Sequence, residues 1–247
     1  MSEEVTNQGV ETPSTSEMSN MQKIIGIFTA PRKTFEAIDQ HPTWFLPYLI
    51  GIIFFLIFQF LTVDMQMDYR LEMMEARGDI PAEAMEAAKA QMQGPVKYIG
   101  FIAGPIVWLI MIVIIAALFY VAGNLMIGGD TSFKHLFAMV NWTGLIGCIS
   151  LIIMTLLILS KGTMHGVALD LSVLLDTPAI GEEKSVLFRI LSKFDIFVIW
   201  QIVLYIIGMS VAYKATVQKA AVPILSLWGI WIIISVAFGG FFEKLGM

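Results

Sequence analysis

Apolar residues in this chain come in long runs rather than in the alternating or half-period patterns of a soluble core. Five runs stand out, at residues 44–63, 98–122, 136–159, 194–212 and 222–241. About twenty consecutive apolar residues span a hydrocarbon core of roughly 30 Å. At about −0.3 to −0.6 kcal/mol for each Leu, Ile, Phe or Val, one such run inserts without help. The pattern predicts an all-α polytopic membrane helical bundle with five transmembrane helices, all within one domain over 44–247.

Between the runs the period changes to that of amphipathic helices. In the stretch 21–43, Pro31 suits a first helical turn, where its missing N–H is unpaired anyway. Phe35 and Ile38 share one face, with Arg32, Lys33 and Glu36 elsewhere on the helix. Pro42 ends the helix near His41, because the residue before a proline avoids the helical region. Trp44 and Tyr48 then stand where aromatic rings anchor at the headgroup level. Arg32, Lys33, Phe35 and Trp44 are therefore the expected interfacial or partner contacts. Met21 to Phe28 is too short to span and is expected in the interface beside this helix.

Residues 64–97 predict two further amphipathic helices. Met67, Leu71 and Met74 mark the first, and Met85, Ala88 and Met92 the second, with a break at Gly78-Asp79-Ile80-Pro81. The loop 160–193 predicts more short interfacial helices, on faces built from Val167, Leu171 and Leu174 and from Val186, Ile190 and Phe194. Ser192 and Asp195 carry a capping-box pattern ahead of the fourth run. Gly100 and Gly104, four apart at the start of the second run, are the expected close helix–helix contact. Gly123-Asn124 and Gly128-Gly129-Asp130 predict a tight connection after it.

Composition narrows the picture further. Of 247 residues, 57% are hydrophobic and 14% charged, and the mean hydropathy is +0.77; soluble domains carry roughly a quarter charged residues. The net charge of −5 argues against nucleic acid as a partner. Residues 1–20 are polar, have no Lys or Arg, and are expected to form a disordered tail rather than a signal peptide. A single cysteine, Cys148, excludes an internal disulfide. Charge does not orient the spans, since the two sets of loops hold roughly six and roughly nine Lys or Arg. Lys23, Arg32 and Lys33 favour a cytoplasmic start.

Candidate chemistry is thin. His41, His135 and His165 are far apart and show no metal-ligand spacing. Glu182-Glu183 followed by Arg189 has the wrong spacing for the Glu-Glu-x-x-x-Arg motif of intramembrane proteases. Met65, Met67, Met73, Met74, Met85 and Met92 are soft ligands that suit Cu(I), but thioethers also fill irregular apolar surfaces, which is the expectation here. No catalytic residue, cofactor site or metal site is assigned. Gln59, Asn124, Asn141 and Gln201 are the polar groups in or beside the spans, and interhelix hydrogen bonds are expected to account for them.

The segment Ile27-Phe28-Thr29-Ala30-Pro31-Arg32, followed by Pro42, Trp44 and Pro47 and then five runs, resembles the Yip domain (Ypt/Rab-interacting) membrane family, and in particular its bacterial members. Further points of likeness are Gly128 through Lys134 before the third run, Phe194-Asp195-Ile196-Phe197 with Trp200 in the fourth, and Lys219-Ala220 before the fifth. The acidic-Leu-Tyr-Gly-Pro signature of eukaryotic members is echoed only by Gly94-Pro95 and Gly104-Pro105. The resemblance covers roughly residues 21–241. It implies five spans with a cytoplasmic N-terminus, in the inner membrane for a bacterial member, and no defined activity. The expected role is a non-enzymatic scaffold or adaptor that meets the lipid bilayer and either a membrane or cytoplasmic protein or a second copy of itself. The alternative is a transporter or permease subunit with a cavity near Gln59, Asn141 or Gln201.

Overall fold

A computed structural model describes residues 18–78 and 80–244, and these are helical almost throughout. The N-terminal pair comes first: α1 (Asn20–Thr29) and α2 (Pro31–Gln40). Ser19 caps α1 through the Gln22 amide, and the Gln22 side chain accepts from the Ser19 N–H in return. Pro31 is at the first turn of α2 and the helix ends at Gln40, ahead of Pro42. Gly26 lets the two helices touch, since a Cβ there would collide with the Thr34 hydroxyl.

Four helical stretches are long and apolar enough to cross a membrane: 45–76, 95–126, 133–161 and 217–239. Their outward surfaces are dense in apolar side chains, such as Ile102 at 74% exposed and Ile233 at 69%. An aqueous surface does not carry such a band, and a bilayer does. A fifth apolar helix, α9 (Ile196–Ala212), has 17 residues. At 1.5 Å per residue it reaches about 26 Å, short of the roughly 30 Å core. The expected five runs are thus all helices, and four of them have spanning length.

Several boundaries differ from the sequence expectation. The first run was expected to stop at Asp64. Instead α3 continues unbroken over Phe45–Arg77, because residues 64–77 contain neither Gly nor Pro, so the polarity changes without anything to end the helix. It stops at Gly78, whose φ of +68° is the left-handed cap that favours glycine. The second amphipathic helix is α4 (Ala82–Gln93), with Met85, Ala88 and Met92 on its half-buried face. After a 3-10 turn at Pro95–Tyr98, α5 runs over Ile99–Met126. Gly123 and Asn124 lie inside it rather than in a connection, and the turn comes at Gly128 and Gly129, both at positive φ.

The third run is two helices, α6 (Phe133–Thr143) and α7 (Leu145–Lys161), parted at Gly144. The loop that follows holds a 3-10 turn at Leu171–Leu174 and the six-residue α8 (Val186–Leu191). Asp195 caps α9 by accepting from the Phe197 and Val198 amides at 2.6 and 3.2 Å. Ser192 does not take part in that cap: its hydroxyl donates to the Arg189 carbonyl. The last helix, α10, spans Val217–Lys244 and contains Pro223.

The core lies where α2, α6 and α9 meet, flanked by α1, α5 and α10. Trp142, Leu136, Ile146, Leu204 and Met209 are fully enclosed there, along with Ile27 and Ile38 of the N-terminal pair. On the other side α3 packs along α7 and crosses α5 antiparallel. At that crossing Gly51 receives the Trp108 ring, Gly104 receives the Phe55 ring and Gly100 faces the Gln59 amide, so each helix supplies both a large residue and a small one. Tyr48 donates to the Pro105 carbonyl at 2.8 Å on the same face.

Gly104→Val forces the Phe55 ring out of its seat and is expected to cost about 1–3 kcal/mol. Gly229→Ala meets nothing within 4 Å and should be neutral or stabilising by about 0.5–1 kcal/mol. Thermal unfolding of the two variants in detergent should move the midpoint in opposite directions or leave Gly229→Ala unchanged.

Candidate functional site

Two regions gather the unusual features: the N-terminal pair with its linker, and a cavity at the break between α6 and α7. On α2, Arg32 and Lys33 are exposed, and Arg32 Nε is 3.3 Å from Glu36 Oε1. Phe35 is not beside them. It is 2% exposed and turned inward against α6 and α9, close to Met139 and Gly208. The expectation of a Phe35 surface contact is corrected by this placement: the same i,i+3 pairing with Ile38 that marks an apolar face here marks the core-facing side. Trp44 is half-buried in the linker, with its ring 5.3 Å from Phe137 and 6.1 Å from Tyr48. The exposed residues of the pair thus include Arg32, Lys33 and Glu36 with Met21 and Ile25.

Asp39 sits half-buried where α2 approaches α6 and the end of α9. Desolvation pushes its carboxyl above the ordinary 3.8, with His135 and Lys214 opposing that rise. His135 in turn shares a 2.7 Å hydrogen bond with the Ser132 hydroxyl.

The cavity holds about 330 Å³ and is bounded by the start of α3, the middle of α5, the α6–α7 break and the start of α9. Asn141 and Gln201 both line it, together with Tyr48, Trp108, Asp195 and Tyr205. Asn141 is 3% exposed; its Nδ2 donates to the Phe137 carbonyl at 2.8 Å, and its Oδ1 has no protein partner. Gly147, one turn into α7, leaves room beside the Gln201 amide. Gln59 lies elsewhere: its Oε1 accepts from Gln66 at 2.6 Å, within α3 itself.

Of the four amides expected to join helices, only Asn124 does so. Its Oδ1 accepts from the Tyr213 hydroxyl at 2.9 Å. Gln59 and Asn141 bond within their own helices. Cavity residues Tyr48, Trp108 and Asp195 carry no sequence signal that sets them apart from an interface anchor, a span aromatic and a helix cap. The signal that was present is the cluster Asn141-Trp142-Thr143-Gly144, polar and small inside an apolar run.

A second hollow of about 240 Å³ lies under the loop after α7, against the extension of α3. His165 faces the Pro178 carbonyl at 3.0 Å there, and Glu182 accepts from the Ala179 amide at 2.9 Å. Met73 lines it, and the other methionines of α3 and α4 are half-buried. Among the described residues no three His, Cys, Asp or Glu side chains converge as a metal site.

Four helices of spanning length, an apolar outer surface and a short helical pair packed into one end define a multi-pass membrane protein. More closely, the chain belongs to the Yip1 domain family, whose model matches residues 25–239. That interval opens inside α1 and closes in α10, so the N-terminal pair is part of the family's domain rather than an addition to it. No curated protein and no solved structure matches the chain.

Because the folded state holds the Asp39 proton more tightly than the unfolded chain, this group's contribution to stability falls as pH rises from 3.8 through the folded value. Asp39→Asn should raise the unfolding midpoint at neutral pH and give no advantage below about pH 4. Thermal unfolding of both proteins across pH 4 to 8, on the ordinary scale for carboxylates, checks the sign.

Proposed function

We propose that this protein is a non-enzymatic scaffold or membrane organiser, embedded in a cell membrane with its N-terminal pair on the cytoplasmic side. For a bacterial member of the family that membrane is the inner one. The reading takes α9 as a fifth crossing, its shortness met by local thinning of the bilayer or by snorkelling of flanking side chains. The observation that carries the proposal is the docked α1–α2 pair. Its inner face is fixed against α6 and α9, and Arg32, Lys33, Glu36, Met21 and Ile25 are exposed on the pair. A docked surface with Lys33, the Arg32–Glu36 pair and exposed apolar side chains at a membrane boundary suits anionic headgroups or a partner protein.

The test is photo-crosslinking in cells from position 33, which faces outward, followed by mass spectrometry. One dominant partner at near-stoichiometric yield supports an adaptor. Arg32→Glu with Lys33→Glu should abolish that product, or binding to anionic vesicles, without unfolding the protein. Phe35→Ala should instead destabilise the fold by about 3–5 kcal/mol. Unchanged partner and vesicle binding in the double variant would contradict the proposal.

A second reading, a transporter or permease subunit, draws on the cavity. Gly144 borders it, and Asn141 and Gln201 share its lining. Reconstituted vesicles that take up no solute faster than protein-free vesicles would count against it.

A further inference from the structure

From the α6–α7 cavity we infer a binding site for an organic ammonium group, carried on an aminolipid headgroup or on a free small amine. The inference goes beyond the scaffold reading and does not depend on it.

The argument starts with an unmet hydrogen-bond acceptor. Asn141 lines the cavity, and its enclosed Oδ1 receives no donor from the protein. A buried polar atom left unpaired costs about 1–3 kcal/mol, so the site calls for a ligand that donates. The second acceptor is Asp195, the only charged residue lining the cavity. No Lys or Arg lines it to balance that carboxylate, so the lining carries a net negative charge.

The rest of the wall selects among cations. Tyr48, Trp108, Phe197 and Tyr205 bring four aromatic rings to the cavity, and the Tyr48 and Trp108 centroids are 6.2 Å apart. Rings within about 6 Å of a cation attract it through their quadrupoles, and aromatic enclosures of this kind recognise organic ammonium groups. A divalent metal would want several oxygen ligands including more than one carboxylate, and a single carboxylate with neutral amides does not offer that. An anion is disfavoured in turn. The α9 N-terminal amides that would hold it, at Phe197 and Val198, already bond to Asp195.

Size and access agree with a headgroup. The 330 Å³ volume stands at the small end of ligand pockets, about 300–1,000 Å³, which fits an ethanolamine or choline unit and leaves acyl chains outside. Met111 of α5 lines the cavity and is 47% exposed, so the lining is not closed off from the surface of the bundle.

The test uses the full chain purified in detergent. Its unfolding midpoint is measured with ethanolamine hydrochloride, with choline chloride and with sodium chloride at equal ionic strength. Native mass spectrometry then follows uptake of phosphatidylethanolamine against phosphatidylglycerol. Asp195→Asn removes the charge and keeps a good N-cap, and Asn141→Leu removes the unpaired acceptor. Stabilisation by the free amines identifies a small-amine site, and retention of phosphatidylethanolamine alone identifies a headgroup site. In either case each variant should bind about tenfold more weakly, the loss expected for a hydrogen bond to a charged group. The inference is overturned if sodium chloride or phosphatidylglycerol does as well as the amines, if nothing binds, or if both folded variants bind as the parent does.

Discussion

The indole of Trp142 ties this molecule together. It is fully enclosed at the end of α6, and its Nε1 donates to the Thr43 carbonyl at 2.8 Å, across 99 positions of chain. Thr43 belongs to the linker between the N-terminal pair and α3. The bond therefore fixes the two ends of that linker at once, with α2 packed on α6 and α9 on one side and α3 laid along α7 on the other. Because Trp142 is fully enclosed, its indole N–H left without an acceptor would be expensive. The linker geometry also brings Trp44 against Phe137 and Tyr48 against Pro105 and Trp108. The Trp142–Thr43 hydrogen bond thus joins the N-terminal pair, the first long helix and one wall of the cavity at a single point.

The third run changes partners near the same place. Gly144 keeps right-handed helical geometry (φ −57°, ψ −20°), so Leu145 and Ile146 still join Trp142 in the core. Further along, α7 packs against α3, while α6 packs with α2, α5 and α9. The space between the two arrangements is the cavity, and Asn141 and Asp195 face it from the end of α6 and the start of α9. Close packing by exchange of small and large residues holds the α3–α5 crossing, where Gly51 and Gly104 each accommodate a ring from the other helix. Without a hydrophobic drive between helices in lipid, fit of this kind is the principal source of association.

Much of this was legible in the chain itself. The long apolar runs determine where helices of membrane character lie, and Pro31 and Pro42 mark both ends of α2, because these are local properties of backbone and hydropathy. What the sequence misplaced depends on partners distant along the chain. A helical apolar face does not say whether it meets lipid or protein, so Phe35 reads as a surface contact and is core. A change from apolar to polar at Asp64 reads as a boundary, yet only Gly78 has the backbone freedom to end α3. Gly123 reads as a turn and is kept in helix, with Tyr213 lying over it. The cavity could be anticipated in its amides, Asn141 and Gln201, and not in Tyr48, Trp108 or Asp195, whose residue types serve other purposes in most sequences.

The N-terminal pair is a packed part of the membrane domain and not a stretch of chain lying loose on the surface. Cysteine accessibility at two adjacent positions tests it most directly, in a Cys148→Ala background. Thr34 is 0% exposed beneath α1, whereas Lys33 next to it is exposed. A membrane-impermeant maleimide applied to open membranes should label Lys33→Cys rapidly and Thr34→Cys at least about a hundredfold more slowly, as an opening of roughly 3 kcal/mol would require. Equal labelling rates at the two positions would contradict the account.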